Sequence, residues 1–189
     1  MTRLFLRPAL AGCAVMLLAG AVQAAEPVSD QQVVTEVRRA VQRYVHLTVF
    51  DDVRFQVENG QVRLLGSVNQ PYRKTDLEKR VAAVPGVTAV VNELAVQPVS
   101  GFDDETRLRL YRRIYGSLEF AHYGNGPLAP VRIVVAGGRV TLVGTAASNV
   151  DKMLLGIIAR EIAPFGVDNQ LVVAGQERKE PLPRGGQET

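Results

Sequence analysis

One stretch of this chain occurs twice, and that repeat limits the possible fold more than any other feature. Residues 53–67 read VRFQVENGQVRLLGS and residues 131–145 read VRIVVAGGRVTLVGT, a constant offset of 78 positions (131 less 53, and 145 less 67). Val53, Arg54, Val57, Gly60, Val62, Leu64 and Gly66 return as Val131, Arg132, Val135, Gly138, Val140, Leu142 and Gly144. Each copy places β-branched runs on either side of a tight dipeptide, Asn59-Gly60 in the first and Gly137-Gly138 in the second. Type I′ turns need positive φ at both central positions, which these dipeptides tolerate, so each stretch predicts a β-hairpin. Two such hairpins in register, with matching flanks, predict a duplicated domain.

The flanks complete the unit. Ser29-Asp30-Gln31-Gln32 has the form of a capping box. Val33, Val37, Val41 and Val45 then recur every four residues, with Val34 and Tyr44 beside them, which predicts an amphipathic helix of about four turns. After the hairpin, Asn69-Gln70-Pro71 opens a second helix with Leu77, Val81 and Val84 as its buried stripe, and Pro85-Gly86 ends it. Thr88 to Val96 predicts a third strand. In the second copy, Asp103-Asp104-Glu105 suits a helix N-terminus, and the helix is expected to run to about Leu118. A loop without a strong pattern, Glu119 to Pro130, precedes the hairpin. Ser148 caps a helix from Asn149 to Ala163, Pro164-Phe165-Gly166 ends it, and Asn169 to Val173 closes the domain.

The expected fold class is therefore α+β: two tandem αββαβ domains, each a three-stranded mixed sheet covered on one face by two helices. Strands two and three, joined through a helix, should be parallel. The predicted limits are residues 29–98 for the first domain, 99–102 for a linker and 103–174 for the second domain. The polar tail, 175–189, is expected to be disordered. A linker this short implies that the domains touch.

Residues 1–25 have the pattern of an export signal. Arg3 and Arg7 form a positive start, Ala9 to Ala21 is uncharged, and Val22-Gln23-Ala24 supplies small residues for cleavage. Leu10-Ala11-Gly12-Cys13 also resembles the lipobox of bacterial lipoproteins. Removal of the whole segment is preferred, because the longer apolar run follows Cys13; lipidation at Cys13 is the alternative. Cys13 is the single cysteine, so no intrachain disulfide and no cysteine-based metal site can form.

The pattern Gly60-x-Val62-x-Leu64-x-Gly66, a helix, then Gly86-Val87-x-x-Val90-x-Asn92-x-Leu94 resembles the BON domain, found in tandem in bacterial periplasmic and outer-membrane-associated proteins. The second copy repeats it as Gly138-x-Val140-x-Leu142-x-Gly144, Gly166-Val167 and Asn169-x-Leu171, with a shorter step from glycine to asparagine. The resemblance covers roughly residues 30 to 97 and 103 to 174. It implies a periplasmic, non-enzymatic module associated with phospholipid and with envelope integrity under osmotic or membrane stress. It brings no shared catalytic residues.

The residues themselves assemble no chemistry of that kind. There is no Gly-x-Ser-x-Gly, P-loop or His-Glu-x-x-His motif. His46 and His122 are expected in exposed loops, and the acidic groups at Asp51-Asp52 and Asp103 to Glu105 fit capping and solvation. No cofactor or metal is expected. A net charge of +3 argues against a dedicated nucleic-acid binder, which would carry a concentrated basic surface.

The first helix of the second copy is the candidate binding element. At about 100° per residue from Arg107, the apolar residues Leu110, Ile114, Leu118, Tyr111, Tyr115 and Leu108 fall between about 300° and about 100°. Arg112, Arg109 and Arg113 fall at about 140°, 200° and 240°. Arginine forks suit phosphate, and tyrosine suits a headgroup boundary. The candidate lipid-binding residues are Arg109, Arg112, Arg113, Tyr115, Phe120 and Tyr123, and the expected partner is an anionic phospholipid surface. The competing reading is an ordinary surface helix with solvated arginines. A protein-interaction module holding an envelope partner is the second class. The last helix is apolar over a wide arc (Val150, Met153, Leu154, Leu155, Ile157, Ile158, Ile162), and the first domain is expected to cover it.

Overall fold

The computed structural model describes residues 28–124, 126 and 129–175. Its elements are α1 (Asp30–Gln42), β1 (Asp52–Glu58), β2 (Gln61–Val68), α2 (Pro71–Ala82), β3 (Ala89–Asn92) and β4 (Ala95–Val96). These are followed by α3 (Gly101–Tyr115), a 3-10 helix (Leu118–Tyr123), β5 (Val131–Ala136), β6 (Arg139–Ala146), α4 (Asn149–Ile162), β7 (Val167–Asn169) and β8 (Val172–Val173). The chain is α+β, built from two tandem αββαβ units. The export signal at 1–25, the alternative at Cys13 and the expected disorder beyond Gly175 lie outside the described residues.

Each sheet runs hairpin first, then a parallel crossover. β1 pairs β2 antiparallel, from Asp52 opposite Ser67 to Glu58 opposite Gln61. β2 pairs β3 in parallel, with Val62 opposite Val90. β5, β6 and β7 repeat this arrangement. The expected third strand is one strand in two pieces. β3 and β4 keep the same register on β2, with Leu64 opposite Asn92 and Ser67 opposite Ala95. The break has a local cause. Asn92 turns its side chain back: Oδ1 accepts from Leu94 N at 3.2 Å and Nδ2 donates to Lys74 O at 3.0 Å. Leu94 is thereby aimed into the core. Asn169 does the same in the second unit, with Leu171 N and Lys152 O. This is the physical reason for an Asn-x-Leu pattern: the asparagine ties the last strand to the crossover helix.

The hairpin turns are held from outside the hairpin. Asn59 (φ 51°), Gly60 (φ 74°), Gly137 (φ 57°) and Gly138 (φ 73°) have the two positive φ values that a type I′ turn requires. The carboxylate of Asp30 accepts both turn N–H groups, Asn59 N and Gly60 N, each at 2.8 Å. Asp103 accepts Gly137 N at 2.9 Å and Gly138 N at 2.7 Å. So an aspartate in the first helix of each unit pins its hairpin. Asp103 is 1% exposed. Asp103→Ala should cost about 2–3 kcal/mol, since a buried donor left without a partner pays its desolvation. Asp30→Ala, in a wetter site, should cost less than half as much; equal losses in urea unfolding would contradict this account.

Two separate cores form. The first is built on Val33, Val37, Tyr44, Leu64, Leu77 and Leu94, and the second on Leu110, Ile114, Ile133, Leu142, Leu155 and Leu171. α3 starts at Gly101, two residues before the expected acidic triplet, because Ser100 Oγ accepts from Asp103 N at 3.2 Å and caps it. It ends at Tyr115, short of Leu118, which is 95% exposed. The span expected as a patternless loop contains the 3-10 helix, which carries Phe120 and Tyr123 inward.

Candidate membrane-facing surface and domain junction

The buried stripe of α3 consists of Asp103, Thr106, Arg107, Leu110 and Ile114. That stripe places Arg109, Arg112 and Arg113 on the opposite, exposed side. None of the three forms an ion pair with another described residue. Leu108 and Phe102, 44% and 53% exposed, share that side. So does one carboxylate, on exposed Glu105.

The aromatic half of the predicted set is elsewhere. Phe120 is 1% exposed and belongs to the second core. Tyr123 is also buried: its hydroxyl donates to Asp151 Oδ2 at 2.6 Å and accepts from Ala147 N at 2.7 Å. It anchors the start of α4, as Tyr44 anchors α2 through Asp76 Oδ2 at 2.8 Å. Tyr115 is half-buried and donates to Val131 O at 2.5 Å. The sequence places these rings near the helix end but does not show that the 3-10 helix folds them under it. Of the six predicted residues, only the arginines stand together on the exposed face.

Burial, joined at Tyr123 and Tyr44 by these hydrogen bonds, sets the titration of the tyrosines. Burial, then the Asp151 contact, pushes Tyr123 up to about 12; burial, then Asp76, does the same to Tyr44, also to about 12. Burial raises Tyr115 too. Asp151 is held below the usual carboxylate range, first by the Tyr123 hydroxyl, then by Ser148 and His122. A depressed carboxylate contributes stability that is present above its unfolded value and lost as pH falls through its folded one. Tyr123→Phe should therefore cost about 1 kcal/mol at neutral pH and shallow the acid limb of the stability curve below about pH 4, as read by thermal melts. An unchanged acid limb would contradict it.

The last helix is not covered as expected. α4 packs on α3, β6, β7 and β8 of its own unit. Val150, Met153 and Ile157 remain 58%, 57% and 39% exposed, and Phe165 beyond the helix is 65% exposed. The first domain meets the β5 side instead, so it cannot reach this stripe. α3 and α4 thus lie side by side, one presenting arginines and the other an apolar stripe.

The junction between the units has polar ties and ring contacts. Ile133 N donates to Val49 O at 2.8 Å, and Arg132 Nη1 to Thr48 O at 3.0 Å. Phe50 packs on the second core, with its ring 6.1 Å from that of Tyr111. Arg107 Nη2 reaches Gln97 Oε1 at 3.0 Å and Val135 O at 2.5 Å, while Nη1 pairs with Asp104 at 2.5 Å. Gln97 Nε2 donates in turn to Phe50 O at 2.7 Å. Burial lowers the Arg132 guanidinium from its ordinary value. Arg107 is the residue that sequence reasoning missed. Its position at the middle of an apolar arc was the available signal, since an arginine there must be buried with acceptors.

Among the described residues, no group of three or more His, Cys, Asp or Glu could hold a metal. No helix among them is long and apolar enough to cross a membrane.

The BON domain family model matches residues 29–98 and 112–175. No curated protein matches the chain. Among solved structures it is similar to CdsD, a structural protein of the type III secretion system of Chlamydia trachomatis. That match has 17% identity and a TM-score of 0.29, over 76% of this chain and 94% of that one. The C-terminal domain of CdsD matches with 15% identity and a TM-score of 0.30, over 77% of this chain and 99% of that one.

Proposed function

Since the chain belongs to the BON-domain family, with two tandem copies, we propose that it is a non-enzymatic periplasmic protein that associates with anionic phospholipid and supports envelope integrity under osmotic or membrane stress. Proteins of this family are typically envelope-associated and bind phospholipid membranes or proteins. The observation that carries the lipid reading is the helical layer of the second unit. Arg109, Arg112 and Arg113 are exposed on α3, and Val150, Met153 and Ile157 are exposed on the adjoining α4. Cations beside uncovered apolar side chains suit a surface that offers phosphate above acyl chains. The guanidinium forks bind phosphate, and the apolar stripe loses water on contact.

Vesicles containing anionic phospholipid should retain the protein at low salt and release it as ionic strength rises, because exposed charges are screened over about 10 Å at 0.1 M salt. Neutral vesicles should retain little. Equal retention on both, or none on either, would sink the lipid reading. Specific co-purification of one envelope protein without vesicle binding would favour the interaction-module reading, for which the exposed α4 stripe is the supporting feature.

A further inference from the structure

The two units differ at one edge. In a two-residue hairpin, the residues flanking the turn form a hydrogen-bonded pair and the pairs alternate thereafter. Glu58 and Gln61 flank the first turn, so Val53, Phe55 and Val57 direct their N–H and C=O groups to the outer edge of β1. By the same rule Val131, Ile133 and Val135 do so on β5. On β5 that edge is plugged. Val131 O accepts from the Tyr115 hydroxyl, Ile133 N donates to Val49 O, and Val135 O accepts from Arg107. The plug includes a turn of the first unit, closed by Asp51 N donating to Thr48 O at 3.1 Å, with Phe50 laid on the second core. On β1 no backbone or side-chain hydrogen bond among the described residues reaches Val53, Phe55 or Val57 from outside the hairpin.

The cause is a substitution between the two copies. Asp30 and Asp103 hold equivalent turns, which aligns α1 with α3. Val34 then stands where Arg107 stands, Arg38 where Tyr111 stands and Gln42 where Tyr115 stands. Valine cannot span the gap that arginine spans. A groove of about 560 Å³ is left between α1 and β1, lined by Val34, Arg38, Val53, Phe55 and Val57 among others. It continues to the domain junction as a cavity of about 480 Å³ that Arg38, Arg54 and Arg132 also line. Arg54 is paired with Asp52 at 3.2 Å, whereas exposed Arg38 forms no ion pair with a described residue.

We propose that the outer edge of β1 takes an extended segment of a partner protein, apolar at its centre and acidic at its flank, as an added strand. Main-chain bonds to Val53, Phe55 and Val57 would hold it, as Ile133 holds Val49 within the chain. An apolar side chain would fill the groove beside Phe55, as Phe50 fills its place on the second unit. Arg38 would select the carboxylate. This is strand addition at an exposed sheet edge with side-chain pockets giving specificity. It is independent of the lipid reading, which uses α3 and α4.

The test is amide NMR of the purified protein titrated with the synthetic peptide HLTVFDD, the chain's own junction segment 46–52. Saturable shifts are expected at the amides of Val53, Phe55 and Val57, and hydrogen exchange there should slow at least about tenfold. In the free protein Phe55 should exchange at least about a hundredfold faster than Ile133. Val34→Arg recreates the plug and should weaken the peptide at least about tenfold. Arg38→Glu, on an exposed side chain, should weaken HLTVFDD but not HLTVFNN. No shifts at β1, shifts at Ile133 instead, or affinity unchanged by Val34→Arg would overturn the proposal. A dimer that Val34→Arg dissociates would overturn it in favour of a second copy. Loss of vesicle retention in Val34→Arg would overturn it in favour of lipid at this edge.

Discussion

Asp51→Ala should destabilise the protein by about 3–5 kcal/mol, the cost of removing one partner of a buried ion pair. The Asp51 side chain is fully buried, and Arg73 beside it is 10% exposed at its side chain. One carboxylate organises four groups: Arg73 Nη1 at 2.6 Å, Thr48 N and Thr48 Oγ1 at 2.8 Å, and Asn69 N at 2.9 Å. Burial pulls the Arg73 guanidinium down, but Asp51 and Tyr72 outweigh it, and the net effect is upward. Alanine would leave that cation and two backbone donors without their acceptor. Asp51→Asn, which keeps one acceptor oxygen and loses the charge, should cost about half as much. The damage should also spread. Asp51 fixes the segment whose Val49 carbonyl meets Ile133, so exchange at the Ile133 amide should rise in the same variant. A loss below about 1 kcal/mol in denaturant unfolding, or an Ile133 amide that stays protected, would show that the pair is not what organises the junction. Replacing both partners by apolar residues, Asp51→Leu with Arg73→Met, should restore part of the stability.

Reversing Arg109, Arg112 and Arg113 to glutamate should abolish retention on anionic vesicles. A basic side chain close to an anionic surface contributes about 1 kcal/mol, so three contribute about 3 kcal/mol, or more than about a hundredfold in partitioning. Glutamates at the same places would repel the surface as well. All three side chains are exposed on the face opposite the core stripe, so the melting temperature should move by only a few degrees. That separation makes the experiment decisive: binding retained within about threefold would assign the contact to another face. Met153→Ser with Ile157→Ser should weaken retention by an increment that salt does not change, because the stripe contributes by dehydration and not by charge.

Most of the architecture is legible in the amino-acid sequence. The hairpins were evident because Asn-Gly and Gly-Gly are among the few dipeptides that accept two positive φ values, and a copied pattern cannot be accidental. The Ser29 capping box forms, with Gln32 N on Ser29 Oγ at 3.4 Å and Ser29 N on Gln32 Oε1 at 3.1 Å. α2 starts with Pro71 in its first turn and no side-chain cap, and α4 starts after Ser148, whose hydroxyl accepts from Asp151 N. The arginine face was readable because helical periodicity sorts a single helix without reference to its neighbours.

The errors share one origin. Aromatic residues near a helix end suit either a membrane boundary or a core, and a 3-10 helix turns Phe120 and Tyr123 into the core. The α4 stripe was expected under the first domain because a wide apolar arc demands a cover, but the arc does not say on which side the neighbour sits. Arg107 sits at the middle of an apolar arc, and only the acceptors Gln97 and Val135 show it to be a buried anchor. In each case the residue's own properties were read correctly and its partner was not.

That division is physical. Turn conformation, helix caps, strand alternation and the duplication depend on interactions between residues a few positions apart, so the sequence alone determined them. Which edge is plugged, which aromatics are buried and which helix face stays open depend on groups more than a dozen positions away. Arg107 meeting Val135 and Val49 meeting Ile133 are contacts of that kind. The first needs the second unit to fold and the second needs the two units to dock; together they leave two similarly folded units with one sealed edge and one open groove.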